Sequence, residues 1–349
     1  MPTAIEADGL RKTFKGKREV RALDGVSFAV EQGTVFGLLG PNGSGKTTAV
    51  RILTTILQPD GGAARVLGHD VRKEAALVRS LIGLAGQYAA VDENLTGREN
   101  LQMVGNLNHL ERAVVTVRAK ELLEQFDLTE AGDRPLKTYS GGMRRRLDLA
   151  AALVARPTVL FLDEPTTGLD PQSRNDLWGV IEALVGAGTS VLLTTQYLEE
   201  ADRLASSLAV LDHGRVIAEG TPASMKSELG ATVLEVGLSG IDEAQRASAL
   251  LEALGPHPAQ VTGTVVEVTV DNGPEAAMTG LRSLDSAGIV PTMFNLRQPS
   301  LDDVFLSLTG HRTEGDETGD GDPTPAARGR RRLMRQAEES MPVVTGELG

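Results

Sequence analysis

The chain of 349 residues contains no cysteine, and only 3% of its residues are aromatic. Without thiols, neither a disulfide framework nor a thiolate metal site is possible, which suits a reducing compartment. The first residues, MPTAIEADGLRK, lack the apolar core of a signal peptide, and no apolar run approaches the roughly 18 residues of a membrane span. We therefore expect a soluble, cytosolic protein.

Positive charge is also scarce, because 35 lysines and arginines face 47 acidic residues and the net charge is -12. Broad, non-specific binding of nucleic acid requires a basic surface, so no nucleic-acid partner is expected. The hydrophobic fraction of 41% and the charged fraction of 23% are typical of a globular protein, and the length suffices for two domains.

Buried strands and helices alternate over residues 1–230. The stretches TVFGLLG, TVLFLD and SVLLTT are too uniformly apolar to be half exposed, and a loop and a helical pattern follow each of them. This alternation predicts an α/β domain with a mainly parallel sheet. The strand patterns fade between about 88 and 155, which predicts an inserted helical subdomain.

The pattern changes again after residue 230. Two half-buried strands, TVLEVGL and TVVEVTV, and two helical patterns predict a small α+β domain over 231–310. Residues 311–349 are poor in apolar residues and place an acidic block before a basic one, which predicts a disordered tail.

The stretch GLLGPNGSGKTT fits the phosphate-loop pattern G-x-x-x-x-G-K-[ST] between a strand and a helix. Its glycines let backbone amides point at an anion, and the helix start adds its dipole. We predict that Lys46 reaches the β- and γ-phosphates and that Thr47 ligates magnesium. A glycine-rich turn with an incidental lysine is the alternative, which the flanking strand and helix disfavour. The predicted nucleotide-binding residues of this loop are Gly40, Pro41, Asn42, Gly43, Ser44, Gly45, Lys46, Thr47 and Thr48.

Two acidic residues, Asp163 and Glu164, end the buried strand VLFLD. Open α/β sheets place ligands beside the carboxyl ends of their strands. Because neighbouring side chains of a pleated strand point in different directions, we predict that Asp163 serves magnesium. Glu164 is predicted to polarise the attacking water as the general base. A solvated acidic turn is the minor alternative.

A second anion-binding helix start is predicted in YSGGMRRRLDLAAALVARP. Ser140 is a good N-cap, and Gly141 and Gly142 let the backbone approach a ligand. Such an element is redundant in a chain with one phosphate loop unless it faces another nucleotide, or the same nucleotide from a second side. No aromatic residues interleave the arginines at 144–146, so we interpret them as a solvated helix face rather than a nucleic-acid patch.

Gln196, in VLLTTQYLEEAD, lies between the end of another predicted buried strand and the start of a helix. It is either a turn residue bonded to nearby backbone or a residue that faces the γ-phosphate. Its position at the same predicted sheet edge as Asp163 and Glu164 favours the second interpretation.

Five motifs in this order resemble the nucleotide-binding subunit of an ATP-binding cassette (ABC) transporter: GPNGSGKTT, Gln87 in LAGQYAAVDENL, YSGGM, VLFLDEPTTGLD and LLTTQYLEEAD. The later PSLDDVFLSLTG is similar to the accessory domain of the daunorubicin-resistance exporter branch. The resemblance implies a P-loop NTPase fold, ATP and Mg²⁺ as cofactors, and ATP hydrolysis. It also implies a head-to-tail homodimer in which SGG of one subunit closes over the ATP of the other.

The resemblance further implies a separate integral membrane permease, a peripheral location at the cytoplasmic face of the cell membrane, and export of a drug, antibiotic or lipid-like substrate. It assigns Phe14 to the position of an aromatic residue, usually tyrosine, that stacks on adenine. Gln87 matches a glutamine that approaches magnesium, and Asp170 matches a loop aspartate at the dimer interface. Gln196 replaces the usual histidine.

The predicted site residues fall into three sets. The catalytic residues are Lys46, Glu164 and Gln196. The metal ligands are Thr47, Gln87 and Asp163. Besides the phosphate loop, the nucleotide-binding residues are Phe14, Gln87, Ser140, Gly141, Gly142, Met143, Asp163 and Asp170.

Two other classes of function are alternatives to a transport ATPase. A cassette protein that acts on ribosomes or DNA usually carries tandem cassettes or long coiled coils, and neither pattern is present in this sequence. A regulatory module that binds nucleotide without hydrolysis is suggested by Gln196 and opposed by Glu164.

Overall fold

The computed structural model describes residues 2–16, 19–86, 91–229 and 232–309. Gln87 and the predicted tail at 311–349 lie outside the described residues. The strands are β1 (Thr3–Phe14), β2 (Val20–Glu31), β3 (Val35–Leu39), β4 (Gly61–Val66), β5 (His69–Asp70), β6 (Ile82–Ala85), β7 (Val159–Asp163), β8 (Ser190–Thr195), β9 (Ser207–Asp212), β10 (Arg215–Gly220), β11 (Thr232–Gly237), β12 (Gln260–Thr262), β13 (Val265–Val270) and β14 (Met293–Arg297).

The helices connect these strands and cover their faces. They are α1 (Lys46–Leu53), α2 (Ala75–Leu81), α3 (Gly97–Leu107), α4 (Arg112–Gln125), α5 (Gly141–Ala152), α6 (Pro171–Gly186), α7 (Leu198–Leu204), α8 (Pro222–Leu229), α9 (Ile241–Leu251), α10 (Gly273–Ser286) and α11 (Leu301–Thr309). Among the described helices, none is long and apolar enough to cross a membrane.

A six-stranded sheet forms the centre of the molecule, in the order β10-β9-β3-β8-β7-β6. All its pairs are parallel except β10 with β9. Alternate residues of a strand enter different cores: Leu160 and Leu162 pack on one face of β7, and Val159 and Phe161 on the other. Burial on both faces explains the uniformly apolar strand sequences.

A second sheet, in the order β2-β1-β4-β5, is antiparallel throughout. It packs on the central sheet, and the rings of Phe28 and Phe36 stack between the two with centroids 5.1 Å apart. The sequence predicted a mainly parallel sheet without this separate antiparallel layer. Several register shifts between β1 and β2 interrupt the regular alternation that would have indicated the layer.

Three helices, α3 to α5, lie between β6 and β7 in the chain. Helix α3 begins with a capping box, because the Thr96 hydroxyl accepts from the Glu99 amide and the Glu99 carboxylate accepts from the Thr96 amide. Buried apolar residues of α4 and α5 share one core with β7 and β8. This packing fixes the start of α5 relative to the central sheet.

The elements β11 to β14, with α9 and α10, have the order of a split β-α-β fold, with the antiparallel sheet order β12-β13-β11-β14. Their apolar core lies between the sheet and α9 and α10. Arg297, at the end of β14, donates to carboxylates of Glu235, Glu267 and Asp303. Asp303 belongs to α11, so this cluster ties the last helix to the sheet.

Helix α11 packs on the part of the chain that contains the central sheet. Its apolar residues Leu301, Val304 and Phe305 share a buried core with Leu198 of α7 and Met225 of α8. The LDDVF stretch, which the sequence placed at the end of the small domain, is therefore a helix that contacts α7, the helix directly after Gln196.

Candidate nucleotide site at the edge of the central sheet

The carboxyl ends of β3, β8 and β7 bring the predicted site residues to one edge. These strands are neighbours, with Leu39 opposite Thr195 and Asp163 opposite Thr194. The phosphate loop follows β3, Gln196 follows β8, and Glu164 follows β7. Ligand sites of open α/β sheets lie at this edge.

The phosphate loop, residues 40–45, depends on glycine at its two ends. Gly40 has φ 158°, and a Cβ there would lie 2.2 Å from the Leu211 carbonyl oxygen. Gly45 has φ 116°, and a Cβ would lie 2.5 Å from the Ala22 carbonyl oxygen. Side chains at these positions would push the loop away from the sheet. The Ser44 hydroxyl is buried without a hydrogen-bond partner among the described residues, which fits a loop that bonds to an anion.

Lys46, the first residue of α1, is buried in this loop. Its ammonium donates to the carbonyl oxygens of Gly40 at 2.7 Å and Pro41 at 3.1 Å, and lies 3.5 Å from Glu164 Oε1. Burial lowers the pKa of Lys46, although the charges of Glu164 and Asp163 raise it in part. The ammonium therefore stands between the phosphate loop and the carboxylate predicted to be the base.

Asp163 and Thr47 form a pair of oxygen ligands suited to magnesium. Thr47 Oγ1 lies 3.3 Å from Asp163 Oδ1, which also accepts a hydrogen bond from the Thr194 hydroxyl at 2.5 Å. Mg²⁺ in nucleotide sites takes one or two protein oxygens plus phosphates and waters. The donor set fits this ion, and Thr194 orients the carboxylate from the neighbouring strand.

Glu164 does not continue the pleat of β7. Its backbone is left-handed, with φ 52°, and its amide donates to the Thr194 carbonyl oxygen at 3.0 Å. Because Glu164 lies outside β7, the predicted alternation of a pleated strand does not determine where its carboxylate points. The Asp163 carboxylate lies near Thr47 and the Glu164 carboxylate near Lys46. A non-glycine residue with positive φ is uncommon outside sites where the surrounding structure imposes it.

Arg145 corrects the interpretation of 144–146 as a solvated face. Its guanidinium is largely buried and donates to four backbone carbonyls around the end of β7, so it is a structural residue of the site. Burial lowers the pKa of Arg145, but a guanidinium remains charged. The acceptors and their distances are Gly86 at 2.6 Å, Asp163 at 3.3 Å, Glu164 at 2.6 Å and Pro165 at 2.6 Å.

The predicted second anion site lies at the start of α5, where the Ser140 hydroxyl caps the helix by accepting from the Met143 amide at 3.2 Å. A Cβ on Gly142 would lie 2.8 Å from Ser173 Oγ, so this helix start contacts the start of α6. Asp170 caps α6 by accepting from the Ser173 amide at 3.0 Å. Gly141 and Glu164 line a common cavity of about 320 Å³. This position is compatible with binding of the chain's own nucleotide by the start of α5 as well as with binding of a partner's nucleotide, and both stay predictions.

Gln196 is half-buried directly after β8. The turn that follows is closed by its neighbour, because the Thr195 hydroxyl accepts from the Tyr197 amide at 2.9 Å. A side-chain bond from Gln196 is therefore not needed to form this turn, which supports the interpretation that it faces the γ-phosphate.

Phe14, at the end of β1, leaves 43% of its surface exposed. The Lys12 ammonium lies 5.9 Å from its ring centroid. An exposed ring suits stacking on a base better than packing in a core, so the adenine contact stays a prediction for this residue.

Three residues around the site escaped the sequence analysis: Arg145, Thr194 and Glu200. Arg145 and Thr194 bond to the two carboxylate-bearing residues, and Glu200 is a fully buried acid in α7. Thr194 lies in an apolar strand sequence, which gives no sign of the bond from its hydroxyl to Asp163. The LEEAD pattern shows Glu200 only as one of several acidic residues in a first helical turn.

Comparison with known families matches two parts of the chain. Residues 23–167 match the ABC transporter family, and residues 220–309 match the ATP-binding protein DrrA1-3-like, C-terminal domain. The daunorubicin resistance ATP-binding protein DrrA2 of Streptomyces coeruleorubidus is 54% identical, over 90% of this chain and 97% of that protein. A Nod factor export ATP-binding protein I of Ralstonia nicotianae is 40% identical, over 88% and 94%.

Solved structures of ATP-binding cassettes resemble a little under two thirds of the chain. The ADP conformation of MJ1267, an ATP-binding cassette of an ABC transporter, is 27% identical with a TM-score of 0.57, over 63% of this chain and 92% of that one. An ATP-binding subunit of an ABC transporter is 26% identical with a TM-score of 0.58, over 64% and 92%.

Proposed function

This chain belongs to the ATP-binding subunits of ABC transporters, which hydrolyse ATP, and we propose that it powers export of a small-molecule antibiotic of the daunorubicin class through a separate membrane permease. The observation that carries the substrate class is the 54% identity to a daunorubicin resistance protein over 97% of that protein's length. The match includes the C-terminal domain, whereas the two solved cassettes named above cover only 63% and 64% of this chain.

The geometry supports a division of roles among four residues. Lys46 would hold the β- and γ-phosphates, Thr47 and Asp163 would hold magnesium, and Glu164 would act as general base. Their side chains meet at the ends of β3 and β7 and are buried or half-buried. Magnesium supplies charge neutralisation of the phosphates when bound. Gln196 would donate a hydrogen bond from the neighbouring strand end.

ABC ATP-binding subunits dimerise and work with separate permeases. For this chain we propose a head-to-tail homodimer in which Ser140 and Gly141 of one subunit contact the nucleotide held by Lys46 of the other. The N-capped, glycine-containing start of α5 is suited to bind an anion through its free amides. The permease would hold the dimer peripherally at the cytoplasmic face of the membrane.

The test is a transport assay with the whole complex. The chain is expressed with a tag in cells that contain its natural permease, and the complex is isolated from membranes with a mild detergent. Inside-out vesicles should accumulate daunorubicin when ATP and Mg²⁺ are added, and vesicles with Glu164→Gln should not. Vesicles without daunorubicin uptake, from a complex that still hydrolyses ATP, would contradict the substrate class alone. Isolation of the chain without any membrane protein would contradict the proposal that it works with a separate permease.

A further inference from the structure

Glu200 is a carboxyl group of α7 with no exposed surface. Its Oε1 accepts a hydrogen bond from Trp178 Nε1 of α6 at 3.1 Å. Its Oε2 is buried without a hydrogen-bond partner among the described residues. A buried carboxyl oxygen without a partner is costly, and such groups require an explanation.

The segment that follows Glu164 contains a polar group that can bond to Glu200 Oε2. Thr166 is 1% exposed, and its hydroxyl is likewise buried without a partner in the described part of the chain. The hydroxyls of Thr166 and Thr195 both lie close enough to Glu200 to lower its pKa. Thr166 is two residues after Glu164, and Thr195 directly precedes Gln196. Glu200 thus lies near residues that are close in sequence to both predicted catalytic residues.

The surroundings of Glu200 contain no directly paired positive charge among the described residues. Glu200 makes no ion pair within 4.0 Å among the described residues, and the charged groups that face it are Arg174 of α6 and Arg145 of α5. Arg174 pairs instead with Glu199 at 3.8 Å, and Arg145 with Asp148 at 3.6 Å. Burial raises the pKa of Glu200, and the hydroxyls, the Trp178 indole and Arg174 offset this only in part.

We propose that Glu200 is a positioning residue for ATP hydrolysis, which as a neutral acid accepts from Trp178 and donates its proton to the Thr166 hydroxyl. This bond holds the segment after Glu164 against α7, the helix that begins just after Gln196. Small displacements of a base from its water reduce turnover strongly, so loss of the bond lowers kcat more than nucleotide affinity. The proposal rests on the roles given above to Glu164 and Gln196.

Turnover and ATP affinity of the full chain test this role. Glu200→Ala and Thr166→Val should each lower kcat by about tenfold with KM for ATP within about threefold. Glu200→Gln keeps an acceptor and a donor, so its kcat should stay within about threefold of wild type, from about pH 6 to 8. The matched control is Glu199→Ala, because Glu199 is the adjacent glutamate and its side chain is 74% exposed.

Two further readouts separate positioning from general stability. Trp178 is the one tryptophan of the chain, so its fluorescence should shift in Glu200→Ala and not in Glu200→Gln. The kcat of the double variant Glu200→Ala/Thr166→Val should be no more than about twofold below that of either single variant, because both substitutions remove the same bond.

Two results would overturn the proposal: wild-type kcat in Thr166→Val, or a Glu200→Gln variant as slow as Glu200→Ala. If Glu200→Ala does not fold, the comparison of kcat between Glu200→Gln and Thr166→Val still tests the proposed bond. Failure of the role given to Glu164 is distinguishable, since it would appear as normal turnover in Glu164→Gln while the Glu200 variants keep their order.

Discussion

Lys46 Nζ lies 3.5 Å from Glu164 Oε1, with the two side chains 4% and 7% exposed. This ion pair joins the phosphate loop to the residue after β7, across β8. A phosphate in the loop would compete with Glu164 for the ammonium, because both are anionic oxygen ligands. The carboxylate predicted to be the base is thus paired with the lysine that is predicted to bind the phosphates.

Replacement of Glu164 by glutamine tests the base. Glu164→Gln keeps the shape but removes proton acceptance, so ATP hydrolysis should fall by roughly a hundredfold or more while ATP still binds. Trapped ATP should also hold the dimer together in size-exclusion chromatography with ATP and Mg²⁺. Unchanged turnover would show that Glu164 is not the base.

Gly141 offers a clean test of the shared site, because a Cβ there meets nothing within 4 Å, whereas one on Gly142 would press on Ser173. Gly141→Asp should abolish hydrolysis by repelling phosphate, with little change in ATP affinity of the monomer. Mixed with Lys46→Ala, it forms heterodimers with one doubly altered site and one intact site, so activity should return.

The outcome of that mixing experiment separates the two interpretations of the α5 start. If Gly141→Asp weakens ATP binding by the isolated monomer, and mixing restores nothing, then the element acts on the nucleotide of its own chain. The control is Gly179→Asp in α6, where a Cβ also meets nothing within 4 Å.

Gln196 is tested by alanine and by histidine. Gln196→Ala should lower turnover by about tenfold to a thousandfold, as loss of one donor to a developing phosphate charge does, and should leave ATP binding nearly intact. Gln196→His should retain activity and add a pH dependence near 6 to 7, about where an unperturbed imidazole titrates. Steady-state turnover across that pH range tests both variants. Wild-type rates in the alanine variant would show that Gln196 is only a turn residue.

Asp303 makes the attachment of α11 sensitive to acid. Burial would raise its pKa, but the bonds from Arg297 and Ser300 outweigh burial, so the pKa lies below its ordinary value of 3.8. A depressed folded-state pKa gives stability that is present above the unfolded-state value and lost as pH falls through the folded-state value. Asp303→Asn should therefore lower the free energy of unfolding by about 1–3 kcal/mol at pH 7.

Chemical denaturation at two pH values checks this linkage. The difference between wild type and Asp303→Asn should shrink as the pH is lowered below the ordinary value of 3.8, because the stability from Asp303 is lost as the pH falls toward its lower folded-state pKa. Asp285→Asn, an exposed position of the same domain, should show no such change. An equal difference at both pH values would exclude Asp303 as the source of the acid sensitivity.

The central sheet and its site edge were predictable because burial on both faces leaves a distinctive apolar run, as in TVFGLLG before Gly40. Lys46 and Thr47 were then predicted from the phosphate-loop motif, and Asp163 and Glu164 from their place at the end of a buried strand, since parallel strands share one carboxyl edge. The antiparallel layer was not predictable, because β1 and β2 are interrupted by register shifts. Nor was the left-handed backbone of Glu164, whose amide bonds to the Thr194 carbonyl oxygen of the neighbouring strand.

Arg145 and Glu200 illustrate a different limit. Each belongs to a run of like-charged residues in a helix, and the sequence alone does not show which member of the run faces inward. Their burial depends on the carbonyls at the end of β7 and on Trp178 of α6, contacts that join residues 18 or more positions apart. The predicted helical and small α+β segments, their boundaries and the tail at 311–349 stay predictions.

The packing of α11 on α7 and α8 has a consequence for the newly made chain. Leu198 and Met225 are synthesised well before Phe305, the residue that covers them, so their apolar surface stays open to water until about 80 more residues have been added. At typical elongation rates of about 5–20 residues per second, this interval lasts several seconds. During that time the apolar surface of α7 and α8 is exposed on the nascent chain, and such exposed surface promotes aggregation.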